Sequence, residues 1–574
     1  MKRKEVKKQN IIQLLLILII IVLVNYIFSF VLLRVDLTSE KRYSISEPTQ
    51  EILKNLKDVV YFKVYLNGDL PSGFKQLEKS TKEMLDEFRA YSKSNIEYEF
   101  VNPSESNDKK TRNEIYKQLY EKGLTPTNLS YKEENGTNSQ KIIFPGLIVS
   151  YRGEELAVNI LNNNIGASPE QNLNGSTQEL EYKLSNSINK ITTITKPAIA
   201  FIEGQGELNE NNVLDITNSL KEYYNVKRVR INNQLSSLRD SLKHNKFSLI
   251  IIAKPDSAFN EKDKFIIDQF IMNGGKVLWL LDVIKTDIDS LAYSNSTIAL
   301  ANNINLDDQL FKYGVRINPN LIEDIQCAII PINTALIGAQ PKFTPTPWLF
   351  FPLISPSTTN PITRNLNLIK TAFVSSIDTV GNNPFVRKTI LLSSSIYTKV
   401  INAPARISLD MVDEEPDQRQ FNKKNVPVAV LLEGQFESIF KNRIVPDIAQ
   451  SKDIAFKDKS YDTKMIVIAD GDIIKNQIRH NGKKVIPYPL GYDRYTRQTF
   501  GNKEFILNAI DYLTGNSALM QVRSREIRLR LLDKTKINNQ RLKWQIINTI
   551  LPIFVIIIFG ILAILYRKRK YSTL

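Results

Sequence analysis

Two uncharged apolar segments lie at opposite ends of this 574-residue chain. No charged side chain occurs from Ile11 to Leu33 or from Trp544 to Tyr566. Each run is long enough for the ~20 helical residues that cross a bilayer. Lys and Arg residues border both runs on their outer sides, within 1–10 and 567–574. Because cations are enriched on the cytoplasmic side of membrane helices, both basic tails are predicted to be cytoplasmic.

A cleaved signal peptide is the alternative for the first segment. Its apolar run exceeds the usual ~7–15 residues, and no small-x-small cleavage site follows, since Ser29-Phe30-Val31 does not form one. We therefore predict transmembrane helices at 11–33 and 544–566. The expected topology has two passes, with the bulk of the chain on the side of the membrane away from the cytoplasm.

The charge of the chain is concentrated near these spans. Lys and Arg number 76 against 60 Asp and Glu, a net charge of +16. The excess lies in the two tails and in a predicted basic juxtamembrane helix over 521–543, which includes Arg525, Arg528 and Arg530. A protein without a broad basic face is not expected to bind nucleic acid. For the three arginines, lipid headgroups, an acidic surface of a membrane partner and plain solvation remain alternatives.

The segment between the spans divides into two predicted domains. Residues 34–195 are predicted to form a small extracytoplasmic α/β domain, because short β-branched runs alternate with amphipathic stretches. Residues 196–520 then alternate apolar strands with helices, which is typical of a doubly wound parallel sheet. This second domain contains a proline-rich insertion at about 290–425, where prolines are expected to confine strands to sheet edges.

Sequence motifs for catalysis are absent. There is no zinc, phosphate-loop or serine-hydrolase motif, and His244 and His480 belong to no ligand-spaced pair. An exposed loop position for His480 is weighed against a general base. The single cysteine, Cys327, excludes an intramolecular disulfide and is predicted to be a small buried residue. We expect no catalytic residue, no metal and no cofactor.

Polar residues at two predicted strand ends form a candidate ligand edge. Glu203, Gly204, Gly206 and Glu207 follow the first strand of the second domain, and Asp470 and Asp472 follow its last one. Open α/β sheets bind ligands at the carboxyl ends of their strands. The alternatives are a tight turn for the glycines, instead of a nucleotide site, and turn capping for the two aspartates, instead of a cation site.

A stiff aromatic segment, Pro345–Pro352, supplies further candidate partner contacts: Trp348, Phe350 and Phe351. Rigid aromatic segments contact partners at low entropic cost. The alternative is that these rings pack on their own sheet.

Short segments recur in an order that resembles a known family. They are Asp36-Leu37-Thr38, Tyr43-Ser44-Ile45-Ser46, Glu181-Tyr182, Phe201–Glu207, Asn360-Pro361-Ile362-Thr363, Asp470-Gly471-Asp472, Gly501-Asn502 with Phe505 and Asn508, and Arg528-Leu529-Arg530. With a span at each end, this order resembles the GldG family of gliding-motility ABC-transporter-associated proteins of the Bacteroidetes, over the full length.

The resemblance carries expectations about fold and function. The middle domain is similar to the auxiliary-component domain of uncharacterised ABC transport systems, whose fold resembles class I glutamine amidotransferases. Those enzymes carry a nucleophile after a central strand, where this chain has Asp282-Val283-Ile284 and no cysteine.

The resemblance further implies a polytopic ABC permease and a cytoplasmic ATPase as partners, and a role in gliding motility. We therefore expect a non-enzymatic, doubly anchored auxiliary or scaffold subunit. The alternatives are a tethered solute-binding protein that presents a small ligand to the permease, and an unrecognised hydrolase.

Overall fold

The computed structural model describes residues 11–23, 45–132, 138–163, 168–193, 195–240, 242, 244–286, 288–333, 340, 342–357, 359–381, 383–412, 415–443, 456–482, 484–515, 522 and 534–571. The chain divides into two compact units, Met1–Arg525 and Glu526–Leu574. The boundary predicted between the two α/β domains falls inside the first unit and stays a prediction.

An apolar helix forms the second unit. This helix, Lys534–Tyr571, contains the 27-residue stretch Gln540–Tyr566, which has an 18-residue window of mean hydropathy 2.8 and covers the predicted second span. It is the one helix among the described residues that is long and apolar enough to cross a membrane. Near the other end of the chain, Ile11–Leu23 forms a shorter apolar helix. The rest of the predicted first span, 24–33, lies outside the described residues.

The N-terminal part of the first unit is a four-stranded sheet with helices. Strand β1 pairs with β2 in parallel and with β5 antiparallel, and β5 and β6 form an antiparallel hairpin. After α1 (Ile11–Leu23), the elements are α2 (Glu47–Lys54), β1 (Val60–Val64), α3 (Ser72–Tyr91), β2 (Ile96–Phe100), α4 (Lys109–Glu121), β3 (Thr127–Lys132), β4 (Asn138–Ile143), β5 (Gly146–Tyr151), β6 (Glu154–Asn159) and α5 (Pro169–Thr192).

The larger part of the unit is built on a ten-stranded sheet, with the order β15-β16-β19-β22-β23-β10-β9-β7-β8 and β17 paired to β16. Its elements and the small sheets beside it are β7 (Ala198–Glu203), α6 (Leu214–Lys221), β8 (Asn225–Arg230), β9 (Leu249–Ala253), α7 (Glu261–Met272), β10 (Lys276–Leu280), β11 (Ile284–Lys285), α8 (Ile288–Ser294), β12 (Ser296–Ala301), α9 (Asp307–Tyr313), β13 (Val315–Ile317), β14 (Asn320–Asp324), β15 (Cys327–Asn333), β16 (Phe343–Pro356), β17 (Ile369–Lys370), β18 (Ile377–Thr379), β19 (Val386–Ser393), β20 (Thr398–Asn402), β21 (Ala405–Ser408), β22 (Pro427–Gly434), β23 (Thr463–Ile468), β24 (Ile478–Asn481), β25 (Lys484–Pro487), β26 (Tyr492–Asp493), β27 (Gln498–Thr499) and α10 (Asn502–Thr514).

One half of this sheet is parallel and covered on both faces. Strands β23, β10, β9, β7 and β8 are neighbours in that order and all parallel. Along β7, Ala200 and Ile202 face a core that contains α7, while Ile199 and Phe201 face a second core that contains α6 and α10. Helices on both faces explain why these strands are apolar throughout. The doubly wound arrangement that the sequence predicts is present in this half.

The other half of the sheet is antiparallel, so the sheet is mixed. Strands β23, β22, β19, β16 and β15 alternate in direction. The prediction that prolines confine strands to edges is wrong for β16, which lies next to the edge strand β15 and has four prolines among its 14 residues. Strand β16 tolerates them because it pairs with β19 only at Ser355 and Pro356, so most of its length has a partner strand on one side.

Helix α5 joins the two sheets. Its Leu180, Leu184 and Ile188 lie in the core of the four-stranded sheet, and its Tyr182 lies in a core of the ten-stranded sheet. At its end, Lys190 Nζ lies 3.6 Å from Asp511 Oδ2 on α10.

Candidate functional site

The predicted ligand edge lies at the switch point of the parallel strands. The chain runs from β7 outward to β8 and then returns to β9 on the other side of β7. Loops from neighbouring strands diverge at such a point and leave a crevice at the carboxyl ends of the strands. Both predicted groups, Glu203–Glu207 and Asp470–Asp472, follow strands of this parallel half and reach this edge.

The first group is a turn that binds its own carboxylate. Gly204 and Gly206 have φ of 133° and 77°, a conformation that glycine adopts without strain. The Gln205 N–H donates to Glu207 Oε2 over 2.8 Å. Burial raises the pKa of Glu207, while the backbone N–H groups of Glu207, Gln205 and Gly204 oppose the rise. A concave set of backbone N–H groups binds anions, and here the protein supplies the anion.

This filled turn favours the tight-turn alternative over a nucleotide site. A phosphate would need the N–H groups that already face Glu207. The neighbouring space is also filled, because a Cβ on Gly206 would lie 3.2 Å from the Cβ of Asp256.

The second group is an ion cluster around Lys254. Lys254 directly follows β9 and has φ of 54°. Its Nζ lies 2.5 Å from Asp472 Oδ2 and 3.1 Å from Asp282 Oδ2. Asp282 Oδ1 accepts the Gly471 N–H over 2.5 Å. One cation from the end of β9 is thus held between carboxylates that follow β10 and β23.

Asp470 has the capping role that the sequence left as an alternative. It is fully buried, and its Oδ1 accepts the Asp472 N–H over 2.7 Å. Its Oδ2 accepts the Ala372 N–H over 2.9 Å. The carboxylate therefore holds the turn after β23 and ties it to the segment before β18.

Burial controls the titration of this cluster. Burial raises the pKa of Asp282 to about 6, although the Lys254 ammonium opposes the rise. Burial and the charges of Asp282 and Asp472 raise the pKa of Asp470 well above its usual range. For Lys254, burial lowers the pKa, but Asp282 and Asp472 outweigh it, so the pKa lies above its usual value. Lys254 therefore stays protonated, and the raised pKa values of Asp282 and Asp470 favour their protonated forms relative to a free aspartate.

The turn after β9 connects the two groups. The Asp256 and Ser257 N–H groups donate to Gln205 O over 2.8 and 3.0 Å, and the Leu208 N–H donates to Ala253 O over 3.0 Å. Lys254 therefore lies on the segment that packs against the Gly204–Gly206 turn. Sequence reasoning missed Lys254 as a site residue and treated Asp282 only as the residue at the nucleophile position. The available signal was that each is within two residues of a buried parallel strand.

Cys327 lies far from this edge in strand order. It is on β15, at the opposite end of the sheet from β8. Burial, followed by the charge of Asp324, raises the pKa of its thiol to about 11. It is half-buried, less enclosed than predicted, and the protonated thiol is a poor nucleophile. His480 is exposed, on the short strand β24 instead of in a loop. No group of three or more His, Cys, Asp or Glu residues in the described part of the chain has a metal-binding arrangement.

Comparison with known sequences shows the family to which this architecture belongs. Residues 196–509 match the family described as an ABC-type uncharacterized transport system, ABC_transp_aux. The chain belongs to this family. The matched region begins two residues before β7 and includes the whole candidate edge.

Further comparisons cover the rest of the chain. Residues 39–150 match a domain of unknown function, DUF7088. An uncharacterized protein of Borreliella burgdorferi is 23% identical over 99% of this chain and 100% of its own length. A solved structure titled mmIFT52 N-terminal domain has 13% identity and a TM-score of 0.30, and covers 55% of this chain and 97% of its own. At that score the likeness supports no argument.

The structure corrects the predicted partner contacts of this family member. Trp348, Phe350 and Phe351 are only 1%, 1% and 7% exposed and lie in the core that includes α7. They are therefore unavailable to a partner, because period-two alternation turns Trp348 and Phe350 inward and Phe351 is enclosed by Phe373. The other predicted contacts, Arg525, Arg528 and Arg530, lie outside the described residues.

A cavity of about 460 Å³ opens beside the edge. Its lining includes Val283, which follows Asp282, together with apolar Leu310 and Ile317 and charged Asp307 and Arg316. This volume falls within the ~300–1,000 Å³ range of small-molecule sites.

Proposed function

We propose that the protein is a non-catalytic accessory subunit of an ABC-type transport system. The observation that supports this proposal is the internal pairing at the sheet edge. Lys254 is held by Asp282 and Asp472, Asp470 caps backbone N–H groups, and Glu207 fills its own turn. These groups are engaged with each other and with backbone N–H groups, which gives each of them a structural role in holding the turns at this edge.

The amidotransferase resemblance is interpreted in the same way. We infer a fold similar to class I glutamine amidotransferases that is used without their chemistry. At the position after β10 where those enzymes carry a nucleophile, Asp282 accepts the Gly471 N–H and pairs with Lys254. A carboxylate in that position holds the neighbouring turn in place through its hydrogen bond with the Gly471 N–H.

The proposed arrangement in the cell has two membrane passes. The two helices cross the bacterial inner membrane, both basic tails lie in the cytoplasm, and the ten-stranded sheet lies in the periplasm. The apolar helix Gln540–Tyr566 and the cationic flanks support this arrangement. The proposed partners are a polytopic permease and a cytoplasmic ATPase. The role in gliding motility is proposed on the resemblance to the GldG family.

Co-purification tests this function. We expect a permease and an ATPase to co-purify with the tagged full-length chain from native membranes in mild detergent. A tagged, unrelated protein with one membrane helix is the control. If the chain brings down neither component above the control, the accessory role is wrong.

A tethered solute-binding protein remains a second candidate, which two observations favour. The first is the 460 Å³ cavity beside Asp282. The second is that Gln205 Oε1 and Glu207 Oε1 are buried acceptors without a hydrogen-bond partner among the described residues. Such oxygens suit a ligand that donates hydrogen bonds, such as an amine or a sugar.

Thermal shift distinguishes the two candidates. A ligand that binds only the folded state raises the free energy of unfolding by RT ln(1 + [L]/Kd), which is about 2.7 kcal/mol at a hundredfold excess over Kd. The melting temperature rises accordingly. We expect no shift of the detergent-solubilised chain with amine, sugar or metal-ion pools. A reproducible shift with one pool would favour solute binding over the scaffold role.

A further inference from the structure

Two parts of the chain form the walls of the 460 Å³ cavity beside the ligand edge. One wall is the end of β12 together with Val283, which are joined because the Asn302 N–H donates to Val283 O over 2.7 Å. The other wall is formed by α9 and β13, which contact each other. Gly314 ends α9 with φ of 118°, and β13 begins at the next residue. A single helix–strand unit therefore supplies most of the lining.

The floor of this cavity is apolar. Val283, Leu310 and Ile317 line it and belong to the core that contains α7, where they are 5%, 2% and 5% exposed. Phe311 also lines the cavity but is exposed. An aliphatic or aromatic group of a ligand would therefore leave water when it enters the cavity, at a gain of about 25 cal/mol for each Å² of apolar surface buried.

Two lining side chains have opposite charges and no partner in the part of the chain that the structure describes. Asp307 is the first residue of α9, and Arg316 is the middle residue of β13. Both are exposed, and neither charged group forms a hydrogen bond or an ion pair with another described residue. Asp378 lies opposite Arg316 on β18, but its Oδ2 accepts from Asn318 Nδ2 over 2.9 Å.

The third charged residue of the lining, Asp308, differs because the protein itself neutralises it. Its Oδ1 lies 2.8 Å from Lys264 Nζ, and its Oδ2 lies 2.9 Å from Arg443 Nη1. Burial acts to raise the pKa of Asp308, but Lys264 and Arg443 outweigh it and lower the pKa. Asp308 thus has a structural role, which leaves one cation and one anion available to a ligand.

This combination of groups matches a zwitterion with an apolar side chain. The guanidinium of an arginine is a planar fork that binds a carboxylate through two parallel hydrogen bonds. A carboxylate accepts hydrogen bonds from an ammonium group, which has three donors. A free amino acid carries both charged groups on one carbon atom, next to its side chain. An amine or a carboxylic acid alone would leave one of the two protein charges without a partner.

We propose that this cavity binds a free α-amino acid with an apolar side chain. Arg316 binds the carboxylate of the ligand, Asp307 binds its ammonium group, and Leu310 and Ile317 contact its side chain. The proposal goes beyond the accessory role, because it adds a ligand to the subunit without assigning a transported solute. Zwitterions are also a different class from the amine, sugar and metal-ion pools considered above.

Binding of leucine and of two incomplete analogues tests the ligand class. Thermal shift of the detergent-solubilised full-length chain is measured with L-leucine, with 4-methylpentanoate, which lacks the amino group, and with 3-methylbutylamine, which lacks the carboxyl group. We expect leucine to raise the melting temperature in a concentration-dependent way and both analogues to leave it unchanged. The proposal is overturned if leucine, methionine and phenylalanine all give no shift, or if either analogue acts as strongly as leucine.

Substitutions locate the binding site. Arg316→Gln and Asp307→Asn should each weaken leucine binding about tenfold or more in titration calorimetry, because each removes a charge-assisted contact. Both residues are exposed, so the melting temperature without ligand should change little. Arg406→Gln and Asp462→Asn are the matched controls, since both residues are exposed and neither lines the cavity. These controls should bind leucine as the wild type does.

The outcomes separate this site from the accessory role. If Arg316→Gln and Asp307→Asn bind leucine as tightly as the wild type, leucine binds elsewhere and the proposal is wrong. If leucine does not bind but the permease and the ATPase co-purify with the chain, only the cavity proposal fails. If leucine binds as expected and neither component co-purifies, the accessory role fails and the cavity proposal stands.

Discussion

Gly471 lacks a side chain at the point where Lys254 passes closest to it. A Cβ added there would lie 2.6 Å from Lys254 Cβ and 3.0 Å from Lys254 Cα. The second contact involves backbone, which cannot move aside by a rotamer change. The ion cluster is therefore packed as tightly as an apolar core, and its geometry depends on a residue that carries no charge.

Gly471→Ala should destabilise the fold. We expect a loss of about 1–3 kcal/mol, as for other overpacked sites, in urea unfolding of the detergent-solubilised chain. Gly175→Ala is the matched control, because the nearest atom to its Cβ would be Asn162 Nδ2 at 3.7 Å. Since Gly175 lies inside α5, that change should be neutral or stabilise by up to about 1 kcal/mol. Equal effects of the two substitutions would contradict this packing argument.

Asp282 should make stability depend on pH. Its folded pKa of about 6 lies above the ~3.9 of an unfolded aspartate. The folded state therefore binds more protons between these values, and its stability falls as pH rises through this window. Asp282→Asn removes the titration, so wild type should lose up to about 3 kcal/mol relative to the variant between pH 4 and pH 7. Urea unfolding of both chains across this range measures the difference. A difference that is constant with pH, or that grows in favour of wild type, would contradict the argument.

The sequence reveals the candidate site residues but not their pairing. Asp470, Asp472 and the Glu203–Glu207 turn are visible because they end apolar strands. The pairing of Lys254 with Asp282 and Asp472 depends on the spatial order β9, β10, β23, in which β23 is remote in sequence. Local pattern does not encode which distant strand becomes a neighbour.

At the scale of elements, α5 connects two cores. Its Leu184 is fully buried in the core of the four-stranded sheet, and Tyr182 extends into the ten-stranded sheet region. Lys190 Nζ also lies 3.8 Å from the ring centroid of Tyr223. Loss of packing on this helix therefore affects both sheets.

Leu184→Ala should lower the free energy of unfolding by about 2–5 kcal/mol, the range for buried leucines. Ser168→Ala, at the start of the same helix, removes a capping box with Gln171 and should lower it by only about 1 kcal/mol. Chemical denaturation followed by circular dichroism measures both. If the cap change were the larger of the two, packing by α5 would not be the main source of its contribution.

Helices and strands with strong apolar patterns are confirmed, and polar ones are missed. The apolar pattern predicts helices over 261–272 and 176–191. The first prediction has the observed bounds of α7. The second starts seven residues after the first residue of α5, because Pro169–Gly175 has one apolar side chain suited to the pattern, Leu173. Helix α4 was not predicted, since it buries only Leu119. The sequence also does not indicate which face of β16 packs inward, because both faces of this strand contain apolar residues.

At the scale of the whole molecule, the proposed topology is directly testable. Reporter fusions after Lys8 and after Lys570 should both indicate the cytoplasm, because basic flanks remain on that side of the membrane. A fusion near Asn425 should indicate the periplasm. Matched alkaline phosphatase and green fluorescent protein fusions provide opposite readouts at each site. A periplasmic C-terminus would exclude the two-pass arrangement.

Pro331 and Pro345, which are directly opposed in the β15–β16 hairpin, also affect self-association in a crowded membrane. Proteins confined to two dimensions meet their neighbours far more often than proteins in solution, and a bare strand edge would let identical copies polymerise by sheet extension. Pro331 removes a donor from the last strand of the sheet. This edge of the sheet is therefore a poor template for such extension.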